Sequence, residues 1–280
     1  MTEIYEATCY RHPDRATGLS CTECDRPICA SCSIQAAVGQ RCPECVRQAG
    51  PQEVITARDL NRRPSVTEIP VTYTIIGVAL VISLLSVVLP DLWGEIVIRA
   101  GMWPPGVELG EWWRMLTVIT VHSRLTGGLG IMHVGFNMYI TYRLGAQIER
   151  EMGSWAFAAM YLAAAAAGSA FAFFLGPDAL GVGASGAAFG LFGLWLAPAI
   201  RRRGTAWGRR LMNELGGVLV LNALVPFVVP NVAWEAHLGG LLAGLLIGWA
   251  WTDQRFGRTA LTRTAVAAAV LVVSIVATQV

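Results

Sequence analysis

The chain contains no lysine; its 21 basic residues are all arginine, which fits a GC-rich genome and says nothing about mechanism. Charge is scarce altogether, at 14% of 280 residues, against about 25% in an average soluble domain. The net charge of +2, without a basic, stacking-rich aromatic patch, does not imply nucleic acid, and no nucleic-acid partner is expected. Cysteine is absent beyond Cys45. The opening "MTEIYEATCYRHPDR" lacks the apolar core of a signal peptide, so the first hydrophobic segment is expected to act as its own signal and stop. No H-E-x-x-H is present, which removes a helix-borne metalloprotease site. No pair of acidic residues sits within the apolar runs, as the midplane site of a transporter or channel would require.

What is present is apolar: 54% of the residues are hydrophobic and the mean hydropathy is +0.51. Runs long enough to span roughly 30 Å of hydrocarbon fall near 71–89, 131–148, 155–175, 180–200, 211–229, 232–251 and 264–279. Between the first two lies a Trp-rich stretch, 90–130, expected at the membrane interface. This predicts an all-α polytopic membrane protein of four parts: a cysteine-rich head (1–50), a linker (51–70), a core (71–251) and an added C-terminal helix (252–280). Arg58, Arg62, Arg63, Arg143, Arg150, Arg201, Arg202, Arg203, Arg209, Arg210, Arg255, Arg258 and Arg263 then fall on one side, and Arg99, Arg114 and Arg124 on the other. The positive-inside bias predicts seven spans in the cell membrane, with the head cytoplasmic and the C-terminus outside.

In the head, Cys9 and His12, Cys21 and Cys24, Cys29 and Cys32, and Cys42 and Cys45 are each separated by two residues. That spacing lets two side chains of one tight turn converge on a tetrahedral ion. Eight ligands make two complete structural zinc sites, and a reducing cytoplasm disfavours the alternative disulfide scaffold. Residues 9–45 resemble a B-box-type zinc finger. The resemblance implies interleaved ligand sets: Cys9, His12, Cys29 and Cys32 at one ion, and Cys21, Cys24, Cys42 and Cys45 at the other. It also implies a module that binds a protein partner and does not catalyse.

The stretch "GVGASGAAFG" places Ser185 among glycines and alanines at the outer end of one apolar run. Another run holds His133 and Asn137, one turn apart on a shared face, and a third holds His237 ahead of Gly240, Gly244 and Gly248. Polar groups at such depth are functional candidates. Asn137, Ser185 and His237 each lie about five or six residues into their runs, roughly 7–9 Å below the outer surface at about 1.5 Å per residue. Gly186, Gly190 and Gly193 face the glycines that follow His237, so the two helices are expected to touch at that level. An imidazole could then activate the hydroxyl. Ser185 reads as a nucleophile, and no acidic residue is placed to orient His237.

"GEWWRMLT", "HVGFN", "GASG" and "AHLGG", in that order across residues 70–251, resemble the rhomboid intramembrane serine proteases. The resemblance implies a six-helix bundle, here with one helix added at the C-terminus. It makes Ser185 the nucleophile, His237 its general base and acid, and His133, Asn137 and the Ser185 backbone N–H the oxyanion hole. Catalysis needs no cofactor on this reading, and the implied partners are the lipid bilayer and single-span transmembrane substrates cut near their outer end. Phe189 stands where the family often has a tyrosine, Trp113 and Arg114 match a structural first-loop motif, and His122 resembles a loop-positioning residue. The rival reading is an inactive rhomboid-like protein that binds membrane proteins, but Ser185 and His237 are both retained.

Overall fold

The computed structural model describes residues 7–35, 40–48, 64–176, 178–229, 232–253, 256–257 and 259–280. Most of the expected linker, with Arg58, Arg62 and Arg63, lies outside the described residues, as do Arg255 and Arg258. The chain divides at Arg63 into two compact units. The first is the head, in which β1 (Thr8–Cys9) pairs antiparallel with β2 (His12–Ala16), and β3 (Ile34–Gln35) with β4 (Gln40–Arg41), before α1 (Pro43–Gln48). Its buried centre is six cysteines and Ile28, far too little apolar surface to hold so short a chain unaided.

The second unit is all helix and loop. Proline sits in the first turn of α2 (Pro70–Val88), α3 (Pro90–Ala100) and α4 (Pro104–Glu108), where its missing N–H costs nothing. A short α5 (Arg114–Thr117) follows, and then α6 (Gly128–Ile140), which passes through a π-helical turn at Thr141–Gly145 into α7 (Ala146–Met152). Gly153, at φ +94°, makes the corner into α8 (Ser154–Leu175). Then come α9 (Ser185–Arg201), α10 (Ala206–Leu224), α11 (Trp234–Trp251) and α12 (Ala260–Val276).

Several bounds differ from the sequence expectation. The run expected at 180–200 becomes helical only at Ser185, because the residues before it are tied down as extended chain. Met102 and Gly181 exchange two backbone hydrogen bonds of 3.0 and 2.7 Å, and Gly183 turns at φ +119°. The last helix starts earlier than expected, where Thr259 and Thr262 form a capping box. Of the seven expected spans, two described helices, Pro70–Val88 and Ser154–Leu175, are long and apolar enough to cross a membrane, and Ala260–Val276 is a shorter apolar helix. Glycines, Glu235 and His237 dilute α11, and arginines and Glu214 dilute α10.

Packing centres on α9 and α11. A Cβ on Gly240 would lie 1.9 Å from the Gly186 carbonyl oxygen, one on Gly244 1.9 Å from that of Gly190, and one on Gly248 2.6 Å from that of Leu194. The two backbones therefore touch over three successive turns, as small residues at every fourth position allow. At the other end of the bundle from Ser185, the buried Glu149 carboxylate accepts from the Val71 and Thr72 N–H groups (2.9 and 2.8 Å) and from the Thr72 and Ser154 hydroxyls (2.7 Å each). It caps α2 and pins the start of α8, satisfying amides that the first turn of a helix leaves free. Helix α12 runs from that end, where Arg263 donates to the Met152 carbonyl (3.4 Å), to the first loop. There Gln279 donates to the Val107 carbonyl (3.2 Å) and the Thr278 hydroxyl to Met115 Sδ (3.4 Å).

Gly240→Ala should separate α9 from α11 and cost about 1–3 kcal/mol, the range for overpacking. Gly217→Ala, with nothing within 4 Å of the added carbon, should be neutral or stabilising by up to about 1 kcal/mol. Thermal unfolding of both variants in detergent checks this, and equal melting temperatures would refute the close contact.

Candidate functional site

Ser185 opens α9, so its amide and those of Gly186 and Ala187 precede the first intrahelical acceptor, Ala184 O, which takes the Ala188 N–H (2.9 Å). Free amides and the positive end of the helix dipole therefore surround the hydroxyl. The turn that leads into it is held rigidly. The Gly183 N–H donates to the Val118 carbonyl (3.3 Å), and the Ala184 N–H to Nε2 of the fully buried His122 (3.4 Å). With Nε2 accepting, the His122 proton sits on Nδ1, which has no partner among the described residues. The first loop anchors the same turn: buried Arg114 pairs with Glu111 and donates to the Ile98 (2.6 Å) and Gly101 (3.0 Å) carbonyls, next to Met102.

His133 and Asn137 approach from α6. The His133 ring packs edge-on against His122, with centroids 5.3 Å apart, and its Nε2 lies 2.6 Å from where a Cβ on Gly183 would be. Only glycine fits there, both for that contact and for its positive φ. The Ser123 hydroxyl lies 3.0 Å from His133 Nδ1, a partner that sequence reading overlooked although Ser123 follows His122 directly. Asn137 is 1% exposed; its Nδ2 donates to the His133 carbonyl (2.8 Å), and its Oδ1 is buried without a partner among the described residues.

His237 sits in the first turn of α11 with its ring stacked flat on Phe189, centroids 4.2 Å apart and planes 6° from parallel. Phe189 is one turn below Ser185 on the same helix face. The helices meet at this level, since a Cβ on Gly186 would lie 3.3 Å from the Ala236 carbonyl oxygen. No hydrogen bond joins Ser185 to His237, and the two open onto different cavities. Ser185 lines one of about 50 Å³ with Met102, Gly181 and Ala236, whereas His237 lines one of about 830 Å³ between α10 and α11. Catalytic hydrogen bonds often tighten only once substrate is present. Asn222, also unnoticed in the sequence, faces the larger cavity, its Nδ2 tied to the Val218 carbonyl (2.8 Å). Glu235 is buried two residues before His237.

In the head, the ligand atoms of Cys9, His12, Cys29 and Cys32 lie within 4.8 Å of one another, as do those of Cys21, Cys24, Cys42 and Cys45, so each group could hold a metal ion. His12 Nδ1 lies 3.4 Å from both Cys29 Sγ and Cys32 Sγ. Donors converge on the sulfurs of the second group: the Cys42 N–H on Cys21 (3.2 Å), the Cys45 N–H on Cys42 (3.4 Å) and Arg26 on Cys24 (3.4 Å). The Ser31 hydroxyl beside Cys29 holds its thiol down to about 5, while desolvation pushes Cys32 up to about 11. Such a crowded set cannot ionise fully without a cation among it, and soft thiolates with one imidazole suit zinc.

The rhomboid domain model matches residues 109–254. The chain is 36% identical over 138 residues to the rhomboid protease GluP of Bacillus subtilis, a match covering 49% of this chain and 26% of that protein. It is 32% identical over 162 residues to rhomboid-like protease 1 of Toxoplasma gondii, covering 54% of this chain and 51% of that protein. The chain thus spans between a quarter and half of the length of these relatives. The match takes in His122, His133, Asn137, Ser185 and His237 together with the α9–α11 contact, and the chain belongs to the rhomboid family of membrane proteins.

Proposed function

We propose that the protein is an intramembrane serine endopeptidase working through a Ser185–His237 dyad in a core of residues 71–251. The observation that carries this reading is the flat stack of His237 on Phe189, one helical turn from a serine that begins its helix. The Ser185 hydroxyl attacks the scissile carbonyl carbon while His237 takes its proton. That proton then passes to the departing amine, and water releases the acyl group from the serine. Donors for the oxyanion are the Ser185 N–H, the second N–H of Asn137 Nδ2 and His133. If the Ser123 hydroxyl donates to His133 Nδ1, the His133 proton lies on Nε2, beside the turn that enters Ser185.

The substrates proposed are single-span transmembrane proteins, bound from the bilayer and cut near the outer end of the span. A helix has to unwind locally to present its carbonyl, so segments with Gly or Pro near that end are favoured. The proposed topology has seven spans in the cell membrane, the last being the added helix within 252–280. The head, residues 1–50, stays cytoplasmic, and its two zinc ions hold the fold that presents a surface to a protein partner.

Ser185→Ala and His237→Ala should each abolish cleavage of a model single-span substrate, because the two act as a unit. Asn137→Ala should keep measurable activity, reduced by about 10²–10³. Folding of each variant is checked by melting, and product termini are mapped by mass spectrometry. Robust proteolysis by Ser185→Ala would remove the serine mechanism, no proteolysis by wild type would favour the inactive substrate-binding reading, and a cut in the cytoplasmic half of the span would contradict the topology.

Metal analysis of protein purified under reducing conditions should find two zinc ions per chain. Cys32→Ser should lower that number toward one without altering cleavage by the core. One ion in the wild type, or disulfides in place of metal, would overturn the assignment.

A further inference from the structure

Helix α9 ends at Arg201, roughly 25 Å from Ser185 at about 1.5 Å per residue, and α10 begins five residues later. Arg201, Arg202, Arg203, Arg209 and Arg210 crowd this turn and are all exposed. Glu214 answers Arg210 at 2.8 Å, which leaves four arginines without an acidic partner among the described residues. Two of them are posed on indole faces. Arg201 lies 4.3 Å from the Trp249 ring centre and donates to the Trp249 carbonyl (3.2 Å), and Arg202 lies 5.5 Å from the Trp207 ring. Arg209 is drawn to the Gly204 carbonyl (2.8 Å), and the Arg203 guanidinium has no partner among the described residues.

A guanidinium lying on a ring face keeps N–H edges for an anion and is already ordered, so it loses less freedom on binding than a free side chain. Immediately beside it, α11 carries Trp249, Leu246 and Leu242, spaced three and four residues apart and all exposed. They form a single apolar stripe leading away from Arg201. Positive charge, indole and hydrocarbon therefore follow one another along one strip of surface.

We propose that this strip is a binding site for an anionic glycerophospholipid, its phosphate held by Arg201, Arg202 and Arg203 and its acyl chains laid along Leu246 and Leu242. A free phosphate would leave the stripe uncovered, and a nucleic acid would set its bases against leucine. General attraction of arginines to an anionic surface needs no particular residue. A site built on indole-posed guanidiniums does. The proposal depends on the bundle lying in a bilayer and is independent of whether Ser185 cuts anything.

The test is lipid retention by the full-length chain, measured by native mass spectrometry after exchange into mixed phosphatidylglycerol and phosphatidylcholine micelles. Phosphatidylglycerol should be retained preferentially. Arg202→Gln and Arg203→Gln should each weaken that retention about fivefold, Arg203→Lys should restore most of it, and Trp249→Leu should weaken it although no charge changes. Arg150→Gln, an exposed arginine outside the turn, should leave it unaltered. Millimolar inorganic phosphate should not compete. Equal retention of the two lipids would overturn the proposal. So would an equal effect of Arg150→Gln, or displacement of the lipid by inorganic phosphate or by a single-stranded oligonucleotide.

Discussion

The bundle depends on a backbone-to-backbone contact between α9 and α11. Inside a bilayer, apolar side chains gain nothing by leaving lipid for one another, so helices associate through close packing and weak polar contacts. Gly186, Gly190, Gly240 and Gly244 keep side chains out of the closest part of the seam, and the carbonyls of α9 lie against the α-carbons of α11. This distance decides what the polar groups can do. His237 comes onto the face of Phe189 because nothing larger than hydrogen separates the two helices three residues further along. The same glycines that lower the hydropathy of α11 are the ones that bind it to its neighbour.

Around that seam the structure fixes the turn before Ser185 by hydrogen bonds from several directions. Val118, His122 and Met102 each hold a different residue of the 181–184 stretch, and His133 closes over Gly183. Rigid amides at the start of a helix are useful to a reaction that develops negative charge on oxygen, since they need not reorganise when the charge appears. The first loop and the last helix contribute at one remove. Arg114 gathers the carbonyls at the end of α3, and Gln279 and Thr278 clip α12 onto Val107 and Met115. The C-terminal segment after α12 is thereby joined to the loop that carries Met102, the residue paired with Gly181.

Much of this was legible as spacing. Gly240 and Gly244, four apart on the face that follows His237, state a helix contact in sequence terms, and cysteine pairs two residues apart state a metal-type cluster. Membrane proteins expose such signals because a polar or small residue in an apolar run needs a reason. What could not be read were features without periodicity. The helix start at Ser185 depends on a backbone pairing with Met102, more than 80 residues earlier in the chain, so hydropathy alone placed the boundary five residues too early. Ser123 and Asn222 are single polar residues in stretches with no pattern, and their relevance comes only from what tertiary folding sets beside them. Glu149 is similar: its four hydrogen bonds reach residues on two other helices.

The two ends of the bundle solve opposite electrostatic problems. At the Ser185 end, polar atoms are few and mostly buried, and Asn137 Oδ1 and His122 Nδ1 remain unpaired among the described residues. Such groups cost stability unless something later satisfies them, as the peptide of the proposed reaction would. At the other end the charges are many, exposed and spread over a turn, with indoles that order them at the edge of the apolar surface. Burial makes each interaction strong in one place; in the other, where solvent screens charge, the indoles order the guanidiniums. In a chain with so few charged residues, five arginines gather at the turn between α9 and α10, and the closest part of the seam between α9 and α11 is left to glycine.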